Sequence, residues 1–147
     1  MSKYEHIKDD WIREALEEYK DKIDENKSHR LDISSYRVEK PWGYELIFTD
    51  NDKYVGKILH VDEGEQLSLQ YHEIKDETIY VFSGQLELEL QKGDELVAHV
   101  MGPGECLHIP PRTVHRMRAI TTCDIFEVST PHLDDVVRME DRYGRVK

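Results

Sequence analysis

Between residues 45 and 129 apolar positions recur in short runs, many at every second residue, with turn-forming residues between the runs. The sharpest case is 85–91. Leu86, Leu88 and Leu90 fall on one face of an extended chain, and Glu87, Glu89 and Gln91 on the other, the period of a half-buried strand. The same reading predicts strands at 45–48, 54–61, 66–72, 77–82, 96–101, 107–109, 115–120 and 125–129. Asp50-Asn51-Asp52, Gly64, Ser83-Gly84, Lys92-Gly93-Asp94, Gly102-Pro103-Gly104 and Pro110-Pro111 punctuate them. These are residues that reverse or interrupt an extended chain. About nine or ten short strands with regular turns predict an all-β sandwich or small barrel. The pattern before them is different. Ile12, Leu16, Tyr19 and Ile23 recur at helical spacing beside Trp11 and Ala15, so a helix over 4–25 is expected to pack on the outside of the barrel. The boundary falls near Ser34, giving a helical segment at 1–33 and a β domain at 34–147.

Composition narrows the function. The 147 residues suffice for one ordinary domain and a short appendage. Acidic residues outnumber basic ones 31 to 20, for a net charge of −11. Such a surface repels phosphate backbones and anionic membranes, so neither nucleic acid nor membrane is expected as a partner. No apolar run has the length of a membrane-spanning helix, and no signal core stands at the start. A soluble cytoplasmic protein is therefore expected. Cys106 and Cys123 are read as two small buried thiols that pack.

The chemistry concentrates around residues 64–77. On a strand, Ser68, Gln70 and His72 share one face, while Leu67, Leu69 and Tyr71 share the other. The apolar set would face outward and need cover, from the helix or from a second subunit. Glu77 opens the next strand after a tight connection and shares parity with Ile79 and Val81, which points its face into an interior. His115 opens a later strand after Pro110-Pro111. A Gln oxygen, two imidazoles and a carboxylate form a mixed N/O set. It suits Zn²⁺, Mn²⁺, Fe²⁺, Co²⁺ or Ni²⁺, with coordination positions left open. The alternative for Gln70 and His72 is the wet face of a strand.

The order Gly64, Gln70-x-His72-x4-Glu77, Gly84, then Gly104, Pro110 and His115 resembles the two-part metal signature of the cupin superfamily, with Gln70 where its first histidine usually stands. Lys40-Pro41-Trp42-Gly43-Tyr44, Leu67-Ser68-Leu69-Gln70, Val81-Phe82-Ser83-Gly84, His108-Ile109-Pro110, Val114-His115-Arg116 and the tail from Asp135 to Arg145 resemble the C-terminal isomerase domain of type II mannose-6-phosphate isomerases. In many of those enzymes this domain is fused to a mannose-1-phosphate guanylyltransferase. The resemblance runs from about Glu39 to Lys147. It departs where those enzymes carry a His-rich run followed by Arg-Ala-Glu-His-Trp: Glu73 and Ile74 replace histidines, Lys75 takes the arginine position, Asp76 replaces alanine, and Thr78-Ile79 replace His-Trp.

The resemblance implies a cupin jelly roll, a homodimer, and one divalent metal held by Gln70, His72, Glu77 and His115, with zinc first among the candidates. It implies aldose–ketose isomerisation of a sugar or sugar phosphate through an enediol. Lys75 is the candidate proton carrier, since a divalent cation nearby would push its pKa down. Arg112 is the candidate for holding a phosphate or sugar hydroxyls at the pocket mouth. For each, the alternative is a solvated loop side chain. Arg116 follows His115 directly and should turn away from the metal. Two other classes of function stay open: another metal-dependent cupin enzyme, such as an Fe²⁺ oxygenase using His72, Glu77 and His115 or a lyase acting on a small acid, and a cupin that binds a sugar without catalysis.

Overall fold

A computed structural model of the chain describes residues 8–11, 13–14 and 35–146. Asp10, Trp11, Arg13 and Glu14 are helical. The rest of the helix expected over 4–25, and its packing on the barrel, lie outside the described residues. From residue 36 on, eleven strands form two antiparallel sheets. They are β1 (Tyr36–Lys40), β2 (Gly43–Asp50), β3 (Val55–Val61), β4 (Leu69–Tyr71), β5 (Glu77–Ser83), β6 (Leu86–Lys92), β7 (Glu95–Met101), β8 (Cys106–Ile109), β9 (His115–Ala119), β10 (Cys123–Ser129) and β11 (Val137–Glu140). One sheet runs β1-β2-β3-β10-β5-β8 and the other β11-β4-β9-β6-β7. Consecutive strands often sit in different sheets, so the chain winds back and forth between two layers as a jelly roll does.

Alternation builds the interior. Ile79 and Val81 of β5, Leu86 and Leu88 of β6, Leu59 and Val61 of β3, Met117 of β9 and Ile125 of β10 belong to one buried cluster between the sheets. Gly84 makes the turn from β5 to β6 with a φ of +87°, and a Cβ there would lie 2.2 Å from the Thr122 carbonyl oxygen. Only glycine meets both demands.

The structure corrects three expectations. Strand β4 spans only Leu69–Tyr71, so strict alternation does not reach back to Leu67. Leu67, read as outward with Leu69 and Tyr71, joins the interior cluster instead. Strands β1 and β11 were not foreseen, because YRVEK and VRME mix charge into every apolar pair. The thiols differ: Cys123 is buried, but Cys106 is exposed.

Candidate metal centre

His72 lies just past β4, and His115 opens β9. The register pairs Gln70 with His115, which sets both histidines at the same end of one sheet. Glu77 opens β5 in the facing sheet. The three side chains meet between the layers, each with one ligand atom within 4.8 Å of the others. Glu77 Oε1 lies 3.3 Å from His115 Nε2 and 3.5 Å from His72 Nε2. All three residues are buried.

The outer ring nitrogens explain what these atoms are. His72 Nδ1 lies 2.5 Å from the Asp135 carbonyl oxygen, and His115 Nδ1 2.8 Å from that of Thr113. A carbonyl only accepts, so each Nδ1 carries the proton. In a neutral ring that leaves Nε2 as a bare lone pair. Two lone pairs and a carboxylate oxygen therefore converge, and among the described residues His72 Nε2, His115 Nε2 and Glu77 Oε1 have no hydrogen-bond partner. Buried acceptors aimed at one another are costly unless a cation joins them. The set fits a divalent transition metal, with carbonyls holding the far sides of the rings as is usual for metal-binding histidines.

Gln70 lines the adjoining cavity, and its Oε1 accepts a hydrogen bond from Ser68 Oγ at 2.6 Å. That cavity, of about 190 Å³, is walled by side chains from both sheets and from the chain after β10, among them His72, Lys75, Glu127 and Arg138. Lys75 is buried, with Nζ 2.9 Å from Glu77 Oε2 and 3.1 Å from Glu127 Oε2. Burial alone would lower its pKa, but Glu127 and Glu77 outweigh that and hold it above the ordinary lysine value. In the metal-free chain these neighbours keep Lys75 an ammonium. Burial likewise pushes the Glu77 carboxyl up, and the Lys75 ammonium beside Oε2 draws it back down.

Arg112 stands apart. Its side chain is exposed, pairs with Glu73 at 3.4 Å, and does not line the cavity. Its backbone adopts a φ of 63° and donates its N–H to the His72 carbonyl oxygen at 2.6 Å, so it braces His72 rather than lining the cavity. Arg116 turns outward to Glu89 and Glu140, as alternation requires.

Several residues around the site escape the sequence pattern. Asp135 accepts the backbone N–H groups of Glu73, Ile74 and Lys75 on its carboxylate while its carbonyl holds His72. Arg138 reaches the cavity with its Nε buried and without a hydrogen-bond partner among the described residues. Glu45, Lys57 and Glu127 form ion pairs inside the barrel. A signal for these three did exist: each stands at an interior-parity position, beside Ile47, between Val55 and Leu59, and between Ile125 and Ser129.

Comparison with known proteins agrees with this architecture. A family model described as a cupin domain matches residues 57–129. Mannose-1-phosphate guanylyltransferase of Escherichia coli K12 is 33% identical over 140 residues, covering 92% of this chain and 27% of that protein. The xanthan biosynthesis protein XanB of Xanthomonas campestris is 29% identical over 140 residues, covering 90% and 29%. The chain thus spans somewhat over a quarter of the length of these relatives. Among solved structures, KdgF from Halomonas sp. superposes with a TM-score of 0.57 at 21% identity, over 65% of this chain and 86% of that one.

Proposed function

The chain carries a cupin domain, and we propose that this domain is a metal-dependent isomerase that interconverts an aldose phosphate and its ketose. The observation that carries the reading is the convergence of three buried acceptor atoms, with no proton between them, beside a polar cavity whose lining includes Lys75 and Arg138. Relatives named for mannose 1-phosphate and for xanthan biosynthesis support a sugar phosphate as substrate class. Gln70, His72, Glu77 and His115 would hold the metal. When bound, it would supply a Lewis acid for the neighbouring oxygens of an open-chain sugar.

The chain's own residues supply the rest. Arg138 offers a buried, unpartnered N–H to an anionic group, which suits a phosphate or carboxylate. Lys75 is a fixed proton donor. Two of its three N–H groups face Glu77 and Glu127, and the third is left for an oxygen in the cavity, where O1 and O2 exchange protonation states.

A second reading has an observation of its own. The residues that meet are two histidines and one carboxylate, while the Gln70 oxygen is engaged by Ser68. That trio is the facial triad of Fe²⁺ oxygenases. The deciding experiment incubates the metal-loaded protein with a panel of aldose phosphates, mannose 6-phosphate first, in D₂O with an oxygen electrode in the cell. The isomerase reading expects ketose formation with deuterium at C1 or C2 and no oxygen uptake. Oxygen consumption stoichiometric with product would overturn it in favour of the oxygenase.

A further inference from the structure

Five charged side chains form a continuous line through the barrel interior. Glu45 of β2 lies 3.1 Å from Lys57 of β3, and Lys57 lies 3.4 Å from Glu127 of β10. Glu127 lies 3.1 Å from Lys75, which lies 2.9 Å from Glu77 of β5. The register explains the line, since Glu127 stands directly opposite Lys57 on β3 and opposite Ile79 on β5. The side chains are almost wholly withdrawn from water: Lys75 is 6% exposed, Glu127 4% and Glu77 1%. Buried charges at this depth persist only when each is compensated. Glu127 is outside the converging trio, and its Oε2 faces the two lysines. It does decide how much of the Lys75 charge falls on Glu77.

We propose that Glu127 is a positioning residue for the metal centre: by sharing Lys75 with Glu77, it leaves Glu77 free to serve a divalent cation. This inference rests on the metal reading above. With Glu127 in place, Lys75 divides its attraction between two carboxylates and takes only Oε2 of Glu77, while Oε1 faces the two Nε2 atoms. Without the Glu127 charge, Glu77 is the only carboxylate left to Lys75 among its ion-pair partners here. The ammonium then competes with the metal for the same group. Changing such an outer partner typically costs roughly 10- to 100-fold in metal affinity.

The test titrates Co²⁺ into the full chain and follows its visible absorption, with the far-ultraviolet β signal confirming the fold of each variant. The expected results are one Co²⁺ per wild-type chain and binding weaker by roughly 10- to 100-fold in Glu127→Gln. Lys75→Met should bind at least as tightly as wild type, and the double variant should return to near wild-type affinity, because it removes both the competitor and its counter-charge. A residue that merely packs would leave the double variant as weak as the single. If Glu127→Gln does not fold, Glu127→Asp, which keeps the charge but draws it back from Lys75, should show a smaller loss of the same sign. Wild-type affinity in the Glu127 variant, or no recovery in the double, would overturn the inference while leaving the metal reading intact. No Co²⁺ uptake by wild type would overturn the metal reading and this inference together.

Discussion

Three acceptor atoms and one ammonium define the chemistry at the level of single residues. Their residue types and spacing could be read from the sequence, because Glu77 shares parity with Ile79 and Val81, and all three prove buried. The state of Lys75 could not be read. It depends on Glu127, which lies 52 positions away and meets Lys75 only once β10 pairs with β5. Nor could alternation place Leu67, because the strand that would carry it inward or outward starts at Leu69. If Lys75 carries a proton in the reaction, Lys75→Met should lower kcat by about 10²- to 10⁴-fold with metal content unchanged. Turnover and elemental analysis of the same sample check this. A parallel fall in metal content would instead make Lys75 a support of the site.

A strand with one wet and one dry face announces itself, and β6 does so here. Its outward residues are paired rather than idle: Glu87 meets Arg118 and Glu89 meets Arg116 across the β6–β9 ladder. Of the four edge strands, β7 and β8 are legible in the sequence, but β1 and β11 are not. Strands β1 and β11 each hydrogen-bond to one neighbour only, and charge at such edges blunts further pairing, which is why they are illegible as strands. The segment between β10 and β11 matters more than its irregular outline suggests. Asp135 gathers three successive N–H groups of the loop before β5. Burial pushes its carboxyl up, but the N–H groups of Lys75, Ile74 and Glu73 outweigh that and hold it below the ordinary aspartate value. Asp135→Asn puts an NH₂ group against donors or halves the acceptors, and should cost about 0.5–1.5 kcal/mol of stability, since two of the three hydrogen bonds are exposed to water. A carboxyl depressed in the folded state stabilises above its unfolded pKa of about 3.9 and loses that contribution as pH falls through the folded value. The gap between wild type and Asp135→Asn in thermal unfolding should therefore be full near neutral pH and shrink below about pH 4. A gap unchanged in acid would contradict this.

The whole molecule presents an apolar outer face that the alternation pattern did not locate. On the outside of the six-stranded sheet Tyr80 and Phe82 both stack on Phe126, and Phe48, Phe82 and Val128 are each more than half exposed. The homodimer expected from sequence would bury this patch, a more exposed apolar surface among the described residues than Leu67. Light scattering should give twice the mass of the 17.4 kDa chain, and Phe82→Glu should shift it toward the single-chain mass; a monomer at the outset would remove the dimer. Among the described residues no helix is long and apolar enough to cross a membrane. What unites the molecule is that one end of the sandwich brings His72, Glu77 and His115 from two sheets to one point. The most direct test of that claim is the metal content of purified protein equilibrated with Zn²⁺ and then dialysed. The account expects one divalent ion per wild-type chain, and most of it lost in His72→Ala and in His115→Ala while the β signal persists. Full occupancy in both variants would contradict it.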